Sequence, residues 1–346
     1  MTAAPLLPLR TERLLLRRPR RADAAALAAY RSDPAVARYQ SWQSRYPLGK
    51  AEALIAELAD VDEPRDGEWF TIAVADATTD EMVGDVALRR SFAGRATEIG
   101  YTLRADHHGR GIASEAVRAV LDRLFTNHGL RRAYASMHPD NDRSGWLVER
   151  LGFSYEGTSR SGYWVGDGVT DDVHYGVLVN EWWAWQARDL TPPSDVTLVE
   201  VTPDNTRAVR KVMVHRTQEP LVSSVTTSLA DALTPEVVDG AAVMPWYRAV
   251  VADGVVVGFV MMAERTERHP DPYLWRLLID RWHQGRGIGT RVVAAAIEHA
   301  CSQGATRLKV SWEPGPGTPD VFYRRLGFEP TGEIDDGEIV AALRLD

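Results

Sequence analysis

Two short glycine-bearing stretches have the residue types and spacing to hold an anion: His108-Gly109-Arg110-Gly111-Ile112-Ala113 and Gln284-Gly285-Arg286-Gly287-Ile288-Gly289. Apolar residues at helical spacing follow each at once, so the glycines open a helix. A helix start presents unpaired backbone N–H groups and the positive end of the helix dipole. Glycine lets a charged group come close to that main chain, and a pyrophosphate is a common guest. Arg110 and Arg286 add positive charge. Two other phosphate loops are excluded by letter. A G-x-G-x-x-G fingerprint needs glycine at Ser114 or Thr290, and a Walker loop needs a Gly-Lys pair that neither stretch contains.

The stretches belong to a repeat. Gly111 recurs as Gly287, 176 residues on, and Leu151-Gly152-Phe153 recurs as Leu326-Gly327-Phe328, 175 residues on. The helices predicted after the loops carry Ala116, Val117, Val120, Leu121 and Leu124 in one copy, and Val292, Val293, Ala296, Ile297 and Ala300 in the other. Gly129 and Gly304 stand where such helices end. Strand-like runs follow at 132–137 and 307–312. Others precede the loops, at 71–74, 82–89 and 96–103, then at 249–252, 255–262 and 273–279. Asp253-Gly254 between two apolar runs is a hairpin signal. Pro192-Pro193 can continue neither a helix nor a central strand, which puts a linker at 186–195. The expectation is an α/β fold of two tandem domains, 1–188 and 196–346, each a mixed, mostly antiparallel sheet flanked by helices.

Composition narrows the partners. The chain of 346 residues exceeds what one core usually organises, and 45% hydrophobic with 25% charged residues is an ordinary globular balance. The formal charge is −8, split −3 up to Leu190 and −5 beyond, so neither part has the basic excess of a nucleic-acid binder. Arg10, Arg13, Arg17, Arg18, Arg20 and Arg21 are read as solvated charges flanking a first strand. No apolar run approaches the ~20 residues of a membrane span, and 1–10 is too short for a signal peptide, so a cytoplasmic protein is expected. One cysteine, Cys301, excludes an internal disulfide and is expected to pack as a small core residue. The histidines 107, 108 and 138 lack converging ligands, and no metal is expected.

The repeated loop resembles the pyrophosphate loop [Gln/Arg]-x-x-Gly-x-[Gly/Ala] of the GNAT superfamily of acetyl-CoA-dependent N-acetyltransferases. Gln284 to Gly289 matches throughout; the first copy departs only in having His108 first. The first half is similar to the ribosomal-protein N-terminal acetyltransferase (RimJ/RimL) group, through Thr11-Glu12-Arg13-Leu14-Leu15-Leu16-Arg17, Glu98-Ile99-Gly100-Tyr101, Gly111-Ile112-Ala113-Ser114-Glu115-Ala116 and Asn141-x-x-Ser144. The second is similar to bacterial spermine/spermidine (diamine) acetyltransferases. It shares Gln218, Val222-Ser223-Ser224, Pro245-Trp246-Tyr247-Arg248-Ala249, Tyr273-Leu274-Trp275-Arg276 and Gly332-Glu333-Ile334-Asp335-Asp336-Gly337-Glu338.

The resemblance implies acetyl-CoA as co-substrate and a primary amine, on a small cationic molecule or a peptide, as acceptor. It places the cofactor along Tyr101, Leu103, the loop from His108 to Ser114, and Asn141. In the second copy the matching places are Leu278, Ile279 and the loop from Gln284 through Gly285, Arg286, Gly287, Ile288 and Gly289 to Thr290. The proton donor to the leaving thiolate falls on Tyr323, whose alternative is a packed helix tyrosine, and on Ser144, whose alternative is a helix N-cap. Backbone N–H groups near Tyr101-Thr102 and Leu278-Ile279 are expected to meet the oxyanion. Glu98 is the candidate base of the first copy. Glu264, Glu313, Asp280 and the Asp335–Glu338 cluster are candidates in the second. Tyr39, Trp42, Trp69, Tyr163 and Trp164 are candidate cleft walls. A second implication stays open: an antibiotic self-resistance or peptide-tailoring enzyme in which one domain is catalytic and the other only binds acetyl-CoA or docks. The two domains are also candidates for an intrachain pseudo-dimer.

Overall fold

The computed structural model describes residues 5–165, 168–238 and 240–345; the start of the N-terminal stretch weighed as a leader lies outside them. Contacts divide the chain into two units, Met1–Ala187 and Arg188–Asp346.

The first unit has strands β1 (Leu9–Arg10), β2 (Leu14–Arg17), β3 (Trp69–Asp76), β4 (Met82–Ser91), β5 (Ala96–Leu103), β6 (Arg132–Met137), β7 (Ser154–Val165) and β8 (Gly168–Leu178). Its helices are α1 (Ala24–Ser32), α2 (Pro34–Ala37), α3 (Leu48–Leu58), α4 (Ile112–Asn127), α5 (Asp142–Arg150) and α6 (Val179–Gln186). The sheet order is β1-β2-β3-β4-β5-β6-β8-β7, and β5 with β6 is its one parallel pair among the described residues. β3 is buried along nearly its whole length because both of its faces are covered. Phe70, Ile72 and Val74 join Val117, Val120 and Leu121 of α4, while Ala73 packs with Leu27, Tyr30 and Ile55 of the other helical layer. Each large aliphatic side chain so buried contributes about 1.5–3 kcal/mol.

The second unit has β9 (Val196–Val199), β10 (Val237–Val238), β11 (Ala241–Ala242), β12 (Pro245–Ala252), β13 (Val255–Ala263), β14 (Tyr273–Ile279), β15 (Arg307–Trp312), β16 (Glu329–Asp335) and β17 (Glu338–Arg344). Its helices are α7 (Thr206–Val209), α8 (Val225–Leu233), α9 (Ile288–Ser302) and α10 (Asp320–Arg325). The main sheet runs β16-β17-β15-β14-β13-β12-β9, again with one parallel pair, β14 with β15. Asp253 and Gly254 take φ +48° and +80° in the β12–β13 turn, the backbone of a type I′ hairpin. Gly129 and Gly304, at φ +66° and +73°, follow the caps of α4 and α9. The mixed, mostly antiparallel architecture expected from sequence is borne out in both units.

Two local expectations are corrected. Arg17 is 5% exposed, because its guanidinium is paired with Asp23 at 2.7 Å and Asp80 at 2.6 Å. Cys301 is exposed: it follows Ala300, the last buried residue of α9, and the turn of about 100° per residue carries it off the packed stripe.

Candidate active site

In both units the parallel pair comes apart. β5 and β6 pair only at Ala96↔Arg132, Thr97↔Ala133 and Glu98↔Tyr134, after which each strand runs on without the other. β14 and β15 pair only at Tyr273↔Lys309 and Leu274↔Val310. The split opens at the same repeat position, since Glu98 and Tyr134 correspond to Leu274 and Val310 at the 176-residue offset. Main-chain groups beyond the split lack a strand partner on that side and are open to an extended guest. The copies differ in one respect. The β13–β14 ladder slips between Met261 and Met262, leaving Trp275 as the extra residue of a bulge, whereas β4 and β5 pair without a break from Ser91↔Ala96 to Gly84↔Leu103.

At the wide end of each split, the strand turns through the glycine loop into α4 or α9. Gly109, Gly111, Gly285 and Gly287 all have φ between +73° and +81°. Gly111 and Gly287 are the N-caps of α4 and α9. Helical geometry leaves the N–H groups of Ile112, Ala113 and Ser114, and of Ile288, Gly289 and Thr290, without carbonyl partners inside the helix. Space above the loop is open: a Cβ on Gly109, Gly285 or Gly287 would meet nothing within 4 Å, and one on Gly111 only Arg13 Nη2 at 3.6 Å. These two cradles fit a diphosphate.

The first motif residue does one job in both copies. His108 Nε2 lies 3.0 Å from the Leu103 carbonyl, and Gln284 Nε2 donates to the Ile279 carbonyl at 3.0 Å, tying the loop to the strand end. Gln284 Nε2 also donates to Gln218 Oε1 at 2.8 Å. Arg13 donates to the Arg110 carbonyl at 2.9 Å and pairs with Glu115 at 2.6 Å, which braces the first loop. Arg286 is 10% exposed at its side chain and donates to the Thr191 carbonyl at 2.9 Å, with Asp189 and Asp253 each 3.9 Å away. The charge expected of Arg286 at this loop is therefore already engaged, which leaves the loop's backbone N–H groups as its open donors.

Tyr323, on α10, is 6% exposed among aromatic rings, stacked on Trp312 at 5.8 Å and edge-on to Phe322 and Phe328. Burial pushes its phenol well above the usual tyrosine range. In the first unit, Tyr101 donates its hydroxyl to the Ser144 carbonyl at 3.2 Å, and burial raises this phenol too. The cap of α5 is Asn141, whose Oδ1 accepts from the Ser144 N–H at 3.4 Å; Ser144 is the helix's third residue, not its cap.

The carboxylates fall in different places. Glu98, the last β5 residue paired with β6, forms an ion pair with Arg89 and accepts from Ser136 Oγ at 3.4 Å. Glu313 is exposed just past β15, on the far side of the split from Ile279. Glu264 lies elsewhere. It follows Ala263, which pairs with Tyr273 at the end of the sheet away from the loop, and it is 2.8 Å from His299 Nε2, some 12 residues or about 18 Å along α9 from its start. Asp280 accepts from the N–H groups of Met213 and Trp282, both at 3.0 Å, as a turn-former. The Asp335–Glu338 turn closes β16 on β17, and Glu338 accepts a hydrogen bond from Ser311. Lys309 pairs with Glu333 at 3.3 Å. Burial raises the Tyr273 phenol, and the nearby charges of Asp335, Glu338 and Glu333 add to it.

Of the aromatic candidates, Tyr39 meets His138 at 5.0 Å, and burial raises the Tyr163 phenol. Trp69 lies under the Arg89 guanidinium, Trp164 is exposed, and Trp42 donates to the Arg31 carbonyl at 3.1 Å.

An open glycine loop starting a helix at the mouth of a split parallel pair has room and backbone N–H groups for a diphosphate-bearing cofactor. Residues 13–154 match the family model described as an acetyltransferase (GNAT) domain, and residues 213–328 match the acetyltransferase (GNAT) family. The chain belongs to the GNAT acetyltransferases, and carries that domain twice. It is 35% identical over 175 residues to the uncharacterized N-acetyltransferase p20 of Bacillus licheniformis, covering 50% of this chain and 96% of that protein. It is 31% identical over 174 residues to the uncharacterized N-acetyltransferase YoaA of Bacillus subtilis (strain 168), covering 49% and 96%. With the [ribosomal protein uS5]-alanine N-acetyltransferase of Escherichia coli (strain K12) it shares 27% over 191 residues, covering 51% and 94%. The first half matches the ribosomal-protein type. The protein is an N-acetyltransferase with acetyl-CoA as its co-substrate. Among the described residues no helix is long and apolar enough to cross a membrane.

Proposed function

We propose that the protein acetylates a primary amine of a small cationic molecule or of a peptide, by direct attack of the amine on the thioester. The carrying observation is the pair of cradles, each at the wide end of a strand split that opens at the same repeat position. The acceptor end differs between the units. An alkyl ammonium of pKa ~10.4 is only about 0.04% neutral at pH 7, whereas an α-amine of pKa ~7.8 is about 14% neutral. The carboxylates Glu333, Asp335 and Glu338 around Tyr273 favour a polyamine-like acceptor in the second unit, in keeping with that half's resemblance. Glu98, beside the first split, suits an α-amine.

In the first unit Glu98 takes the amine proton, Ser144 protonates the thiolate, and Asn141 holds the turn that presents Ser144. In the second unit Tyr323 protonates the thiolate and Glu313 is the exposed carboxylate beside the split. Backbone N–H groups on the open side of β5 and β14 meet the oxyanion. His108 to Ser114 and Gln284 to Thr290 hold the diphosphate, with Tyr101, Leu103, Leu278 and Ile279 along the arm. One second reading has a specific support: Tyr323 is enclosed by rings, which suits a second unit that binds acetyl-CoA without turnover. Acetyl-CoA consumption over polyamines, free-amino peptides and aminoglycoside-type amines, repeated with Tyr323→Phe and with Ser144→Ala, separates the readings. Loss in one variant alone assigns the working unit, and full activity in both rejects the two donors.

A further inference from the structure

Five polar side chains of the first unit lie on the sheet face opposite the core. In the β6–β8 ladder Ser136 stands across from His174, and Asp172, two residues before His174, shares its face. Asp172 stands across from Ser159 in the β7–β8 ladder. Glu98 pairs with Tyr134, two residues before Ser136. The alternate residues Ala133, Ala135, Tyr175 and Val177 point the other way, into the core. Contacts tie parts of the row together. Ser136 Oγ donates to Glu98 Oε1 at 3.4 Å, and Asp172 lies diagonally beside Ser136 on the same face. Asp172 Oδ2 is 3.9 Å from His174 Nδ1, and His174 Nε2 is 2.8 Å from Ser159 Oγ. Ser159 is exposed. Asp172 is only 8% exposed, and its Oδ1 has no partner.

We propose that this row, Glu98–Ser136–Asp172–His174–Ser159, is the path by which the acceptor's proton leaves the first cleft, with Asp172 as its relay. The proposal rests on the reading that this unit acetylates an amine. The acceptor arrives as R–NH3+. One proton passes to Glu98 and along the row to solvent. The freed lone pair forms the C–N bond, the C–S bond breaks with its electrons on sulfur, and the second proton lost by nitrogen ends on the thiolate. The products are an acetamide, CoA thiol and one proton. Every element around Asp172 contributes. Burial pushes its carboxyl up, and the Glu98 charge from β5 adds to this. His174 on its own strand, with Ser136 and the Met137 N–H of β6, pulls the other way. Tyr163 faces it from β7, and Arg89 is held by Glu98. A carboxyl that holds protons more readily than a solvated one is a better intermediate station at neutral pH.

The test uses the full chain carrying Gly287→Val, which closes the second cradle so that turnover reports the first. The probes are acetyl-CoA and a short peptide with a free α-amino group. Asp172→Asn is expected to lower kcat roughly 10- to 100-fold at pH 7, with the deficit shrinking as pH rises and solvent itself supplies neutral amine. Asp172→Glu restores most of the rate, and KM for acetyl-CoA stays put. A deficit equal at every pH, or none, overturns the relay. Infrared difference spectra give a second reading independent of turnover. The protonated carboxyl band lost in Asp172→Asn titrates at lower pH in Glu98→Gln if the row is linked; a midpoint that does not move overturns the proposal. Should the parent turn over no amine, the acceptor reading falls, and the infrared result alone decides whether the row exists.

Discussion

Tyr323, proposed as the proton donor of the second unit, keeps its proton over a wide pH range. Because burial holds its phenol above the ordinary range, the second unit's rate is expected to show no alkaline loss attributable to this group up to about pH 10, the ordinary tyrosine value. Tyr323→Phe keeps the ring that packs on Trp312 and removes only the hydroxyl. It is expected to reduce that unit's kcat by ~10²–10⁴ at unchanged KM for acetyl-CoA, read by steady-state kinetics. Asp85 serves the fold instead: 2% exposed, it takes both Arg31, at 3.2 Å, and the Tyr30 hydroxyl. Asp85→Ala leaves a buried guanidinium unpaired and is expected to cost about 3–5 kcal/mol in urea unfolding. At this scale the letters carry residue types but not partners. Glu98 is legible as a carboxylate on a strand leading to the loop, yet its link to Asp172 depends on β5, β6 and β8 lying side by side across more than 70 residues of chain. Glu264 looks equivalent to Glu313 in sequence, and only folding gives it to His299.

Elements were far more readable than side-chain pairings. The predicted limits of β5, β6, β14 and β15 coincide with the observed ones, because each is an apolar run cut off by a loop or a helix-ending glycine. β3 and β12 run longer than predicted, since their first residues, Trp69-Phe70 and Pro245-Trp246, are paired by neighbouring strands. The split and the Trp275 bulge leave no mark on the letters, because register is settled between strands rather than within one. The cradles themselves are testable elements. Gly287→Val forces a β-branched residue into left-handed backbone at φ +76°, at a cost of about 1–2 kcal/mol, and is expected to abolish CoA binding at the second loop by calorimetry while the first keeps its affinity. Arg13→Ala removes the brace on the Arg110 carbonyl and is expected to weaken CoA binding several-fold at the first loop only.

For the whole chain the duplication sets a stoichiometry. Native mass spectrometry is expected to find two CoA per chain, and a single site would reject one cradle. Tyr30, Tyr101 and Tyr323 are neutral in the fold at pH values where an unfolded tyrosine ionises. A phenol whose native pKa is raised favours the fold at low pH and loses that advantage as pH climbs beyond its unfolded value near 10. Thermal midpoints followed by circular dichroism are therefore expected to fall between pH 9 and about 11. Finally, the chain's one thiol, Cys301, faces water. A dye that counts released CoA by its sulfhydryl will register one equivalent from the protein before any acetyl group moves. The same solitary handle accepts a single fluorophore, far along α9 from Gly287, giving a reporter confined to one of the twin domains.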